Sequence, residues 1–308
     1  MKIKTLSLEY YKNPLKTGIV RTGALLILTD DRELSSRGDI APLPKWSRET
    51  LDEALRQLEE RKQDVLSIEW TLDNCFENLA LLNLLPSLSF ALESALLALL
   101  SPIPAYTGPI SALLMGTPSE IIEQAKVVEE EGFKSAKLKV SNLSFREAEE
   151  LIHQLKGTFS LRVDVNRAWK TEESLRFFSQ FAVDDFDYVE EPFYNPHDLH
   201  LFTHPFAVDE SFPHDLSLEQ LDQLSGLKAL VYKPTIQGGM LRSLPLYEWT
   251  KKRGIQLVLS CSFESDVGLS CVASIASRLG LNVPVGLGGD FRRYFHSNKK
   301  SVNSAKGT

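Results

Sequence analysis

The stretch from Ile110 to Gly286 constrains the fold more than any other part of the chain, because eight short apolar runs recur there between polar, helix-periodic segments. The runs cover residues 110–115, 135–140, 161–165, 188–189, 205–208, 229–232, 256–259 and 284–286. Short apolar runs alternating with amphipathic segments specify βαβ units and a parallel sheet. Eight such strands are enough to close a barrel. Helix starts fall between most of them: Pro118-Ser119-Glu120 opens one, and Ser144-Phe145-Arg146-Glu147 reads as a capping box for the next. The segment 195–204 is short for a full barrel helix.

The first hundred residues read differently, as α+β. Residues 22–29 alternate as a strand that ends at Asp30-Asp31, Ser47-Arg48-Glu49-Thr50 opens an amphipathic helix, and residues 88–100 form an apolar helix interrupted by Glu93. At thirteen residues that helix falls short of the ~20 needed to span a bilayer. Pro102 and Pro104 follow it as a hinge. The expected division is an α+β unit over 1–100, a barrel over 101–296, and a Lys/Ser/Asn/Gly-rich flexible tail over 297–308. Met1 to Ser7 carries no signal-peptide pattern.

A net charge of −7 argues against broad nucleic-acid or anionic-membrane surfaces and leaves room for a local cationic pocket that takes a small anion. Cys75, Cys261 and Cys271 are odd in number and form no CxxC pair, so neither a disulfide framework nor a thiolate zinc site is indicated. A reducing cytoplasm fits best.

In a parallel α/β barrel the chemistry sits at the C-terminal ends of the strands. Here the apolar runs end in charges repeatedly: Ala136-Lys137-Leu138-Lys139-Val140, Arg162-Val163-Asp164-Val165-Asn166, Val189-Glu190-Glu191-Pro192, Val208-Asp209-Glu210-Ser211 and Tyr232-Lys233-Pro234. The two-residue period of a strand points Lys137 and Lys139 to one side. Any single charge of this kind is ordinarily a solvated loop residue. Acids on three consecutive strand ends, flanked by lysines on the outer two, are harder to dismiss. Carboxylates converging in a barrel mouth repel one another unless a cation neutralises them, and all-oxygen ligands select a hard ion such as Mg²⁺. Lysines facing each other across that ion can act as base and acid on a bound carbon acid.

The order Lys-x-Lys, Asp-x-Asn, Glu-Glu-Pro, Asp-Glu-Ser, Lys-Pro-Thr resembles the muconate-lactonizing branch of the enolase superfamily. Within that branch, three strings are similar to the o-succinylbenzoate synthase family: Ile40-Ala41-Pro42-Leu43-Pro44-Lys45-Trp46-Ser47-Arg48-Glu49-Thr50-Leu51, Arg162-Val163-Asp164-Val165-Asn166-Arg167-Ala168-Trp169 and Tyr232-Lys233-Pro234-Thr235. The resemblance covers roughly residues 20–290. It implies a modified TIM barrel, (β/α)₇β, under an N-terminal α+β capping domain. It further implies Asp164, Glu190 and Asp209 as ligands of Mg²⁺, with Mn²⁺ as a substitute, and Lys139 as the base that takes the proton α to a carboxylate. Lys233 would face it and Lys137 would support the electrostatics. Arg162, Asn166, Ser260, Ser262 and Gly288 would contact the substrate, a small carboxylate. The implied reaction is syn-dehydration of 2-succinyl-6-hydroxy-2,4-cyclohexadiene-1-carboxylate to o-succinylbenzoate in menaquinone biosynthesis, through an enediolate. This chain departs from the pattern in carrying Asp39 where the cap string usually has Glu, and in running quickly from the last strand into Arg292-Arg293.

Two other readings use the same residues. An N-acylamino acid racemase or dipeptide epimerase would employ both lysines as bases, and an inactive barrel would serve only as a binding protein. His197, His200 and His204 share a spacing that could make a metal site, but no HExxH is present and Pro205 stops any helix. Glu191 and Glu210 are expected to hydrogen-bond behind the ligands, Trp46 and Trp169 to pack rather than stack on substrate, and Gly238-Gly239 could seat a phosphate at a helix start.

Overall fold

The computed structural model describes residues 1–14, 20–101 and 106–288. Residues 15–19, residues 102–105 with the expected proline hinge, and residues 289–308 with Arg292, Arg293 and the expected tail lie outside the described residues. An antiparallel sheet comes first, in the order β1 (Ile3–Pro14), β2 (Val20–Asp30), β3 (Ser35–Ile40). Helices α1 (Leu51–Ser67), α2 (Leu72–Leu82) and α3 (Pro86–Leu100) follow. The first starts three residues later than Ser47 suggests, because Thr50 and Glu53 exchange the reciprocal bonds of a capping box. Thr71 and Asn74 do the same for α2, whose end is set by Asn83 in the left-handed conformation. Helix α3 is buried from Pro86 to Leu97, Glu93 included. It lies against β3 so closely that a Cβ at Gly38 would meet the backbone of Ala91, which requires glycine there.

The barrel runs β4 (Ser111–Leu114), α4 (Pro118–Glu130), β5 (Ser135–Lys139), α5 (Phe145–Leu155), β6 (Ser160–Asp164), α6 (Thr171–Phe178), β7 (Tyr188–Glu190) and β8 (Phe206–Val208). It continues through α7 (Leu218–Asp222), β9 (Leu227–Tyr232), α8 (Pro234–Gln237), α9 (Met240–Arg253), β10 (Gln256–Leu259) and α10 (Asp266–Arg278). Between β7 and β8 there is only a 3-10 turn, Pro196–Leu201, as the short segment predicts. The seven strands β4 to β10 pair in sequence order and in parallel. Residues 284–286 close the ring: Val285 bridges Ile110 and Gly286 bridges Ser260. This is the (β/α)₇β architecture.

Register stacks the inward-facing side chains in layers. Ser111, Ser135 and Ser160 stand opposite one another, then Lys137, Arg162 and Tyr188, then Lys139, Asp164 and Glu190. The other wall of the interior is small and apolar, with Ala207, Ala229, Val231 and Val258 packed against Tyr188. Outside the strands, the helices bury the main apolar core, including a chain of aromatic contacts from Trp169 through Phe177 and Phe178 to Phe202. Trp169 packs there, as expected. Among the described residues, no helix is long and apolar enough to cross a membrane.

Candidate active site

Five charged strand ends meet at one mouth of the barrel. Lys137 donates to Glu190 Oε1 at 2.6 Å and stands 2.8 Å from Asp164 Oδ2. Lys139, one layer nearer the mouth, donates to Asn166 Oδ1 at 3.0 Å and lies 3.7 Å from Asp164 Oδ2. Lys233, directly after β9, donates to Asp209 Oδ2. Glu191 sits behind the row, accepting from the Asp209 and Ser211 amides at 2.7 and 2.8 Å and from Ser211 Oγ. That matches its expected supporting part. The backbone is bent to make these meetings: Asn166, Arg167 and Glu191 have φ of 48°, 58° and 46°. Non-glycine residues hold that left-handed conformation at a cost, and strain of this kind gathers where side chains must be aimed.

The electrostatics are those of too many buried acids. Burial and the neighbouring Asp164 push Glu190 up to about 8, and burial with Asp209 pushes Glu210 up to about 8. For Asp164 burial acts in the same direction, but Lys137 and Lys139 outweigh it and hold the carboxyl below its ordinary value. Burial likewise opposes the charge on Lys137, and Asp164 and Glu190 overcome it, keeping the ammonium protonated far above its usual range. Asp164 Oδ2 is buried with only the two lysine ammonium groups for company, and Glu210 Oε2 is buried without a hydrogen-bond donor. Carboxyl groups crowded together in a buried mouth, with Glu190 pushed up by burial and by its acidic neighbour and charge balance left to lysines, fit a divalent cation. As they stand, among the described residues no three acids, histidines or cysteines surround one point. Lys137 lies between Asp164 and Glu190, and Lys233 is paired with Asp209.

The expected substrate contacts divide. Asn166 reaches the site, where it holds Lys139. Ser262 donates both its amide and its hydroxyl to Glu264 at 2.6 Å and is buried, so that hydroxyl is already engaged. Ser260 is partly buried and lies at the last bridge of the ring. Gly288, at φ 79°, lines a cavity of about 300 Å³ with Cys261 and Phe263 of the barrel and Tyr11, Lys12 and Asn13 of the first sheet. Arg162 does not join the others. It is 1% exposed, and its guanidinium donates to Asp187 at 2.9 Å, the Pro284 carbonyl at 2.7 Å and Gln256 at 3.4 Å. It also stacks on Tyr188 at 4.7 Å. It braces the barrel one layer below the mouth rather than facing substrate.

Sequence reasoning missed one participant. Trp46 was expected to pack, yet it is 44% exposed and its ring stands 5.3 Å from Lys233 Nζ, within cation–π range. The motif around it marked the segment but not its position over the barrel. The histidines scatter: His204 is buried against the Phe181 carbonyl, and His200 bonds to the His197 carbonyl.

Comparison with known proteins bears on this arrangement directly. Residues 120–286 match the family model described as Enolase C-terminal domain-like, and residues 11–99 match the one described as MenC, N-terminal domain. An o-succinylbenzoate synthase of Aliivibrio fischeri (strain MJ11) is 30% identical over 297 residues, covering 89% of this chain and 87% of that protein. The chain belongs to the o-succinylbenzoate synthase family of the enolase superfamily. The Vibrio cholerae o-succinylbenzoate synthase is 29% identical over 310 residues, 91% of this chain and 88% of that one. Among solved structures, a dipeptide epimerase from Methylococcus capsulatus, complexed with Mg and a dipeptide, superposes with a TM-score of 0.80 at 20% identity over 94% and 92% of the two chains. MenC from Desulfotalea psychrophila superposes at 0.73 and 20% identity over 92% and 93%. At those identities the likeness speaks to the fold.

Proposed function

We propose that this family member dehydrates 2-succinyl-6-hydroxy-2,4-cyclohexadiene-1-carboxylate to o-succinylbenzoate, with its catalytic unit beginning near residue 101 and its cap comprising residues 1–100. The observation that carries the reading is the placement of two lysines, Lys139 on β5 and Lys233 after β9, on opposite flanks of the acids borne by β6, β7 and β8. Asp164, Glu190 and Asp209 would hold Mg²⁺. Bound there, the cation would supply positive charge beside the substrate carboxylate, where charge develops as the adjacent C–H bond breaks.

The remaining steps belong to the side chains. Lys139, aimed by Asn166, takes the α-proton, leaving the electron pair delocalised into the carboxylate as an enediolate. Lys233 places its positive charge across the intermediate ring from Lys139, held in line by Asp209 on one side and Trp46 on the other. The protonated Lys139 then returns its proton to the departing hydroxyl on the same face, so water leaves and the ring becomes aromatic. Lys137, locked between two carboxylates, contributes charge rather than protons.

The test is a spectrophotometric assay of the purified protein with the cyclohexadiene substrate, with and without EDTA. Aromatic product that depends on Mg²⁺ is expected. Absence of product would sink the substrate assignment. The flanking lysines are also what a two-base epimerase requires, so deuterium wash-in at the α-carbon of N-acylamino acids and dipeptides is measured beside it, and racemisation outpacing dehydration would reassign the activity.

A further inference from the structure

Two buried carboxylates of the cap end on the start of two barrel helices. Glu93 lies on α3 and is fully buried; its two oxygens accept from the amides of Met240 and Leu241, the latter at 2.9 Å, at the first turn of α9. Asp39, on β3 and also fully buried, accepts from the amide and hydroxyl of Ser265 at 2.9 and 2.7 Å, and Ser265 is the N-cap of α10. Tyr11 donates to Asp39 from β1 at 2.9 Å and completes its shell. The barrel side is carved to admit both groups. A Cβ on Gly239 would stand 2.5 Å from Glu93 Oε1, and one on Gly268 would stand 2.6 Å from Asp39 Oδ2. The helix start after Gly238-Gly239, which a phosphate could have used, is therefore already filled by the cap's own carboxyl group.

The first helix follows the strand end that carries Lys233, and the second follows the segment that carries Ser260 and Ser262. Helix α9 is separated from Lys233 only by α8 and the glycine pair, and Tyr232 ties that link down by donating to the Gly238 carbonyl at 2.8 Å. Helix α10 follows the segment 260–265, which contributes Cys261 and Phe263 to the cavity. The first amides of a helix have no carbonyl partner within it, and anions are favoured there. We propose that Glu93 and Asp39 are positioning residues: through these two helix starts the cap fixes the loop carrying Lys233 and the loop carrying Ser260 and Ser262. The catalytic consequence rests on the dehydratase reading above, whereas the docking itself does not.

Amide hydrogen exchange separates the two. In the wild-type protein the amides of Met240, Leu241 and Ser265 should be protected like the interior of their helices, although no backbone carbonyl within those helices can protect them. Glu93→Gln and Asp39→Asn keep size but replace an acceptor oxygen with an NH2 group, so exchange should rise about ten-fold or more at 240 or 241 in the first and at 265 in the second. Misplacing Lys233 should lower kcat by about ten-fold or more in Glu93→Gln with little change in KM, while Asp39→Asn should mainly raise KM. Should either variant fail to fold, Gly239→Ala and Gly268→Ala press on the same carboxylates from the barrel side and should give the same local rise in exchange. Rapid exchange at these amides in the wild type, or unchanged exchange in the folded variants, overturns the docking. Raised exchange with kcat and KM both unchanged overturns the positioning. If the wild type makes no o-succinylbenzoate, the functional reading fails, and exchange alone then decides the proposal.

Discussion

Replacing Arg162 with Met tests whether this residue braces the barrel or serves the substrate. Methionine keeps most of the stem and removes every donor. The lost partners are Asp187 at 2.9 Å, the Pro284 carbonyl at 2.7 Å and Gln256 at 3.4 Å, together with the stacking on Tyr188. Breaking a buried ion pair by deleting one member costs about 3–5 kcal/mol, because the other charge is left without compensation. Asp187 keeps 15% exposure, which moves the estimate toward the lower end. The stranded Pro284 carbonyl adds about 1 kcal/mol or more. The expected loss is therefore about 4 kcal/mol in equilibrium urea unfolding, a large part of the total for a natural domain. The double variant Arg162→Met with Asp187→Asn should recover part of it, since the uncompensated charge is gone. A loss below about 1 kcal/mol, accompanied by a rise in KM, would refute the bracing role and return Arg162 to the substrate.

Three further outcomes follow from the site and the cap. Lys139→Ala should lower kcat by about 10²–10⁴ while calorimetry shows Mg²⁺ binding retained, and a fall of less than ten-fold would remove Lys139 as the base. Burial raises the Glu93 carboxyl from its ordinary 4.5 to about 7, so the folded state holds that proton more tightly than the unfolded chain does. The stability it contributes is complete below the unfolded value of 4.5 and is lost as the pH rises through about 7, a change of about 3 kcal/mol. Unfolding measured at both ends of that window should show a loss larger in wild type than in Glu93→Gln by about that amount, the other raised acids contributing equally to both, and parallel curves would refute it. Gly268→Ala should destabilise by about 1–3 kcal/mol, since its Cβ would stand 2.4 Å from Glu264 Cβ, and unchanged thermal unfolding would mean that α10 shifts freely.

The barrel was legible because its strands are buried on both faces and so read as unbroken apolar runs, which makes a charge at their ends conspicuous. Lys139, Asp164, Glu190, Asp209 and Lys233 stood out on that ground and do converge. Depth along a strand was not legible. Residues two apart face the same side, yet they are about 6.6 Å apart along the strand, so Arg162 shares a face with Asp164 and still belongs to a lower layer. The cap was harder to read. Strand β1 buries only Ile3 among twelve residues, leaving little apolar contrast, and β3 is short and carries Gly38, whose purpose is visible only against α3. Glu93 interrupts an apolar helix without any local reason, because its partners lie on α9, far along the chain. Trp46 escaped for the same cause: a cap loop and a barrel lysine become neighbours only when the two units are assembled.

The in-register pairing of Lys139, Asp164 and Glu190 has an evolutionary consequence. The alignment of neighbouring strands places the base and two of the acids together, and a one-residue slip of any one strand would turn that strand's contribution outward. What lies beyond the strand ends carries no such debt to register. Segments such as 41–48 of the cap and 260–265 of the barrel can change without disturbing the alignment of Lys139, Asp164 and Glu190, with Trp46 and Ser265 as the positions that still bear on the site. A lineage built this way inherits its chemistry as a fixed chassis and changes its diet by replacing the trim.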